Sequence, residues 1–284
     1  MLESVVNLSE GRDARLLGLL AEAAGPALLD RHADPDHHRA VLTLAGDEVE
    51  SRVRAVCRAA VALLDLRAHA GAHPRLGVVD VVPFVHLEDG PAGVRDGDIG
   101  AAVAARDRFA AWAGAELGLP VFCYGPERSL PEVRRRAWRD LGPDAGPQRP
   151  HPSAGAVCAG ARPCLVAYNL WLAEPDLRLA RRVAAEVRSP ALRTLGLAVG
   201  ERVQVSCNLI DPWSLGPAAA FDAVAARAAV ASAELVGLLP RSVLDAVPAG
   251  RQADLDLSPS RTIEARRRAA GLDGGRSVDG GGLR

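Results

Sequence analysis

The chain contains no lysine and one methionine, and only 4% of its 284 residues are aromatic. Arginine therefore carries every positive side chain. The core must be assembled from alanine, valine and leucine, which the 49% hydrophobic content supplies. Five cysteines, Cys57, Cys123, Cys158, Cys164 and Cys207, are odd in number and never spaced Cys-x-x-Cys. That excludes a disulfide framework and a zinc ribbon, and suits free thiols in a reducing cytoplasm. Net charge is only -1, so no global field draws the chain to nucleic acid or a membrane. Apolar runs are interrupted before they reach bilayer length; residues 218–239 contain Asp222, Arg227 and Glu234. The start, Met1-Leu2-Glu3-Ser4, has neither the basic region nor the apolar core of a signal peptide, so a cytoplasmic location is expected.

What is present is an alternation of strand and helix patterns, which points to an α/β chain. Strands are expected at 5–8, 27–29, 40–44, 76–87, 121–124, 164–172 and 203–209, with a last one at 235–240. A polar loop is expected over 30–39. Helices are expected from 13 to 24, 47–65, 99–117, 131–141 and 176–187, and a long alanine-rich one from 216. The helix at 47–65 is the clearest: Val49, Val53, Val56, Ala60 and Leu63 recur on one face, and Arg54 and Arg58 fall opposite, as solvated surface. Pro83 argues against a central paired position for its strand. Along 203–209, Val203, Val205, Cys207 and Leu209 face one way and Gln204, Ser206 and Asn208 the other, either as a half-exposed strand or as a polar wall of a ligand cleft.

The densest chemistry lies in His69-Ala70-Gly71-Ala72-His73-Pro74-Arg75-Leu76-Gly77-Val78-Val79-Asp80. Pro74 biases His73 to an extended backbone, and Gly71 permits a turn between the imidazoles. The segment reads as a shaped loop delivering His73 and Arg75 into a strand. Two blander readings compete: a structural histidine, and a zinc site from His-x-x-x-His. The second needs a helix that the glycine and proline oppose, and no glutamate follows His69, so no metal is expected. Residues 142–160 break the alternation, centred on Gly146-Pro147-Gln148-Arg149-Pro150-His151-Pro152-Ser153-Ala154-Gly155. These are a linker by composition, or a binding loop at a junction. The glycine-rich end, from about 271, is expected to be disordered.

Taken in order, several segments resemble the formiminotransferase domain family over roughly residues 2–265. They are Val6-Asn7-Leu8-Ser9-Glu10-Gly11, Asp34-Pro35 with Arg39, the motif from His69 to Asp80, Tyr124-Gly125, Gly160-Ala161-Arg162, Tyr168-Asn169, Gln204-Val205-Ser206 with Asn208-Leu209, and Glu234 to Pro240. The chain departs from the family's habit at His32 (often acidic), His38 (often Asn) and Ala154 (often Trp).

The resemblance implies an α/β (α+β) fold of two subdomains, each a mixed sheet covered by helices, with a folate-binding cleft between them. The divisions expected are 1–155, 156–270 and a tail at 271–284. It implies transfer of a formimidoyl group from N-formimidoyl-L-glutamate to tetrahydrofolate as co-substrate, as in histidine degradation. Formyl transfer between folate and glutamate, or folate binding without catalysis, remain alternatives. No fused cyclodeaminase is expected. His73 would be the catalytic histidine, and Gly146 through Gly155 the folate-binding segment. Arg39 and Arg75 are candidate holders of glutamate carboxylates, and Asn7 and Asp34 candidates to orient the amidine or His73. The implied partners are these small molecules, with neither nucleic acid nor membrane; strand edges in such folds favour a homodimer.

Overall fold

A computed structural model describes residues 1–71 and 75–272. The first of two sheets comprises β1 (Leu2–Leu8), β2 (Leu28–Asp34), β3 (Arg39–Ala45), β4 (Val79–Gly90), β5 (Gly93–Asp96), β6 (Val121–Tyr124) and β7 (Val157–Ala161). Its order is β2-β3-β1-β4-β7-β6, with β5 paired to β4. Pairing is antiparallel from β2 through β4 and parallel across β4, β7 and β6. Alternation along β1 and β3 sends Val6, Leu8, Leu42 and Leu44 to one face. There they are buried with Leu20 of α1 (Ala14–Ala24), Val53 and Val56 of α2 (Val49–Leu63) and Phe109 of α3 (Ile99–Glu116). Asp13 starts α1 by accepting from Arg15 N and Leu16 N. On the opposite face, α4 (Leu130–Arg136) covers β6 and β7 through Val133, Phe122, Tyr124 and Cys158.

The second sheet is antiparallel throughout, in the order β11-β8-β10-β9, from β8 (Val166–Leu172), β9 (Leu192–Val199), β10 (Arg202–Leu209) and β11 (Val230–Val236). Val203, Val205, Cys207 and Leu209 do share a face, packed with Tyr168 and Leu170 against α5 (Leu177–Glu186), α6 (Pro217–Ala225) and α7 (Arg241–Asp245). The chain then passes through α8 (Ala249–Gln252) and returns to the first sheet as α9 (Ile263–Ala269). Ile263 joins Leu29, Val85, Leu87 and Leu238 in a core shared by both halves. Glu264 accepts from Val94 N at 2.8 Å, and Arg267 reaches Asp89 at 2.6 Å. The two-subdomain α/β architecture is thus present, with mixed pairing confined to the first sheet.

Several local expectations are corrected. Residues 30–34 are strand, because β3 offers a full antiparallel ladder that outweighs their polarity; only 35–38 turn. Strand β9 was unforeseen: its apolar pattern is broken by Gly196, where a Cβ would lie 2.4 Å from Arg181 N of α5. The alanine-rich helix stops at Ala225, since pairing with β8 draws 230–236 into strand against alanine's helical preference. Strand β4 is central despite Pro83. Its ladder to β1 runs Ser4 opposite Phe84, then resumes at Asn7 opposite Val81, so Val82 and Pro83 are passed over on that side, while Pro83 lies opposite Gly160 of β7. Arg54 and Arg58 are not simply solvated; they lie over the Trp112 ring at 5.5 and 4.9 Å. Strand β7 belongs to the first sheet, which therefore extends past residue 155 before the chain crosses over within 162–165. Residues 273–284 of the expected tail lie outside the described residues; Leu272 N donates to Arg267 O at 3.0 Å.

Glu3 on β1 is 3% exposed. Burial, then the charges of Asp96 and Glu264 against the opposing pull of Arg162, pushes its carboxyl from 4.5 up to about 7. A raised carboxyl stabilises the fold fully below the unfolded value and loses that contribution as pH climbs through the folded one. Glu3→Gln is therefore expected to gain stability over the parent between pH 5 and 8, by roughly 3 kcal/mol at most. Urea unfolding at the two pH values measures the difference.

Candidate active site

Three separate segments meet at the turn between β2 and β3. Asp34 shapes that turn: its Oδ1 accepts from Asp36 N at 2.8 Å and His37 N at 2.7 Å. His38 follows with φ 50°, a left-handed conformation that asparagine adopts more readily than histidine. The β1–α1 connection wraps the turn. Arg12 Nε donates to Pro35 O at 2.7 Å, and a Cβ on Gly11 would sit 2.2 Å from Asp34 O. Glu10 Oε1 accepts from Arg12 N and Asp13 N at 2.7 and 2.9 Å and lies 3.3 Å from His38 Nε2. Burial works against the Glu10 charge, yet the N–H groups of Asp13 and Arg12, with His38, hold its carboxyl below the usual range.

The histidine loop lands on the same turn. The His69 ring stacks on His38 at 4.0 Å between centroids, and its Nε2 is 2.9 Å from His38 O. Arg75 Nη1 lies 2.7 Å from His69 Nδ1. Arg75 Nη1 also meets His69 Nε2, so the two ring nitrogens share this guanidinium and their donor and acceptor roles follow the tautomer. Burial first, and Arg75 after it, lower the His69 pKa, so the ring is neutral near pH 7. Arg75 also donates to His37 O at 3.2 Å and His38 O at 3.4 Å. Gly71 has no room for a side chain: a Cβ would lie 2.5 Å from His37 O. His73, with Ala72 and Pro74, lies outside the described residues; its flanks Gly71 and Arg75 are both anchored on the turn.

The loop leaves through Leu76–Asp80. Asp80 is 1% exposed; its Oδ1 accepts from Leu76 N at 2.8 Å and its Oδ2 from Arg134 of α4 at 2.5 Å. Arg39, half-buried opposite Asp34 on β2, lies in the field of Asp80, Arg134, Asp34 and Arg75, and burial lowers its pKa. Asn7 pairs opposite Val41 and Val81 and donates to Val5 O at 3.1 Å. In the 146–155 segment, Gly146, Pro147, Gln148, Arg149 and Pro150 are exposed. His151 through Gly155 hooks back on itself, His151 Nδ1 accepting from Ala154 N at 3.0 Å. Ser153 O accepts from Leu66 N at 2.7 Å and Ala154 O from Val78 N at 2.9 Å. This segment therefore lies against both ends of the histidine loop.

The second sheet contributes side chains that the sequence reading left without roles. Glu234 of β11 accepts from Asn169 Nδ2 at 3.2 Å and Trp171 Nε1 at 3.1 Å, and lies 3.4 Å from His32 Nε2 on β2. Gln204 Nε2 is 3.3 Å from His37 Nε2. Burial lowers the His37 pKa, and a neutral ring with its proton on Nδ1 accepts from that amide at Nε2. Alternation along β10 gave the polar face away; which first-sheet residues it meets had no signal. Asp80 stood in the motif, whereas Arg134 was hidden in the run Arg134-Arg135-Arg136, indistinguishable from a solvated face.

Chemically, the cluster offers neutral imidazoles beside guanidiniums and an ionised carboxylate, a set suited to moving protons on an anionic substrate. Among the described residues no group of three His, Cys, Asp or Glu is arranged to hold a metal, and no helix is long and apolar enough to cross a membrane.

The Glu234 carboxyl is opposed by burial but held down to about 2 by His32, Asn169 and Trp171. Its contribution is present above the unfolded value of 4.5 and disappears as pH falls toward 2. The thermal midpoint is expected to drop more steeply over that interval in the parent than in Glu234→Gln, as differential scanning calorimetry across the range would record.

Residues 1–162 match the formiminotransferase domain, N-terminal subdomain. The chain is 30% identical over 277 residues to a glutamate formimidoyltransferase of Streptococcus pyogenes serotype M1, covering 86% of this chain and 90% of that protein. It is 31% identical over 282 residues to a glutamate formimidoyltransferase of Thermoplasma acidophilum, with 86% and 89% covered. A formimidoyltransferase-cyclodeaminase of Sus scrofa is 32% identical over 287 residues; there the match takes in 87% of this chain but 51% of the relative. The loop-and-turn cluster thus sits in the part matched by the family, and the chain belongs to the formiminotransferase domain family.

Proposed function

We propose that the protein transfers a formimidoyl group from N-formimidoyl-L-glutamate to tetrahydrofolate, releasing glutamate. The observation that carries this reading is the meeting of Glu10, the His37-His38 turn and the ends of the 69–75 loop at one point. It occurs in a chain that aligns along most of its length with relatives named glutamate formimidoyltransferase. The reaction needs a folate nitrogen to attack the amidine carbon and lose a proton. The tetrahedral intermediate then expels the glutamate nitrogen, which must gain one. His73 is the proposed carrier of both, a role worth typically ~10²–10⁴-fold.

Arg39 and Arg75 are proposed to hold the donor's carboxylates, and Asp34 and Asn7 to orient its amidine. The segment from Gly146 to Gly155 is proposed to receive the folate in a cleft between the halves. Ala154 removes an aromatic stacking surface there, so pterin recognition leans more on polar contacts. As a cytoplasmic homodimer the protein would act on small molecules only.

Incubating purified protein with tetrahydrofolate and either N-formimidoyl- or N-formylglutamate tests the donor. Glutamate release is expected from the first alone; release from the second would reassign it to formyl transfer, and folate binding without release would make it a binder. His73→Ala is expected to lose about 10²-fold or more in kcat with an unaltered melting curve. Arg149→Ala is expected to weaken folate binding, read as a higher Kd by fluorescence titration. An unchanged Kd would return the segment to a linker.

A further inference from the structure

Asp80 stands where the histidine loop becomes strand. It is buried at the head of β4, one oxygen closing back on Leu76 N at 2.8 Å, the other taken by Arg134 Nη2 at 2.5 Å. The stretch it closes is gripped from other sides too. Ser9 Oγ donates to Gly77 O at 2.8 Å, Ala156 N donates to Leu76 O at 2.9 Å, and a Cβ on Gly77 would lie 2.2 Å from Ala156 O. Only the Asp80 grip depends on charge. The groups facing this carboxylate are Arg134 from α4, Arg39 from β3, Arg75 from the loop and Cys158 from β7. Cys158 stays a thiol, its pKa pushed to about 12 by burial and then by Asp80. Asp80 is thus one carboxylate set among three guanidiniums.

We propose that Asp80 and Arg134 are positioning residues for the proposed reaction: their buried ion pair fixes the exit of the histidine loop at Leu76. The inference rests on the transfer reading for its kinetic arm but not for its structural one. Helix α4 thereby becomes part of the site's support. A side chain misplaced by about 1 Å can cost ~10²-fold in rate. A positioning defect should therefore fall on kcat rather than KM.

The experiment compares Asp80→Asn, Arg134→Gln, Arg134→Lys and the Asp80→Asn/Arg134→Gln double variant with the parent. In Asp80→Asn and Arg134→Gln, kcat is expected to fall by up to about 10²-fold with KM nearly unchanged, and the amide of Leu76 to exchange faster with deuterium. Arg134→Lys should recover part of both. The double variant is expected to match the single variants in both readouts rather than add to them, because the two residues act as one pair. Unaltered Leu76 protection in the single variants, or a kcat loss that merely follows a lowered melting temperature, overturns the proposal. If the parent shows no transfer at all, the function falls while the exchange arm still decides whether this pair holds the loop.

Discussion

Two backbone carbonyls bear the site. His37 O and His38 O receive the Arg75 guanidinium, and His38 O also lies against His69 Nε2. A carbonyl can serve several donors because it has two lone pairs, and here both belong to one four-residue turn. Asp34 makes that turn rigid from within, and the 9–12 connection clasps it from outside. The loop expected to carry catalysis is therefore stapled at both ends to a surface that is itself over-determined. Such fixing of functional groups by elements remote in sequence is what lets a loop keep a defined geometry.

Charge follows the same economy. With no lysine, every fixed cation is a guanidinium that can fork between partners. Arg75 uses this fork across two carbonyls and a ring, and Arg134 commits to one carboxylate. The imidazoles in contact with this array, His69 and His37, are kept neutral by burial. Glu10 remains charged because backbone N–H groups reach it. Protonation states here are set by packing and backbone geometry as much as by opposite charges.

Much of this was legible in the sequence, for identifiable reasons. The α2 stripe, the alternation of 203–209 and the glycine-proline frame around His69–Asp80 are local patterns, and local patterns survive in one dimension. The 30–34 part of β2 and the whole of β9 were not legible. The first is polar and earns its form from pairing with β3, and the second is interrupted by a glycine that only the nearness of α5 explains. Pro83 misled because the ladder to β1 can pass over Val82 and Pro83 while the ladder to β7 runs through both, so the strand does not end. Within the site, the motif named the loop and the turn, but His32 with Glu234, His37 with Gln204 and Asp80 with Arg134 join residues far apart along the chain. Nothing in either neighbourhood of such a pair records the other.

The backbone bonds joining 153–156 to Leu66, Leu76 and Val78 mean that these stretches cannot shift independently. A molecule that displaces one must displace the other. Were the proposed folate to sit at 146–155 and the proposed donor beside the imidazoles, any coupling carried by these bonds would be reciprocal, each altering the other's affinity by one common factor.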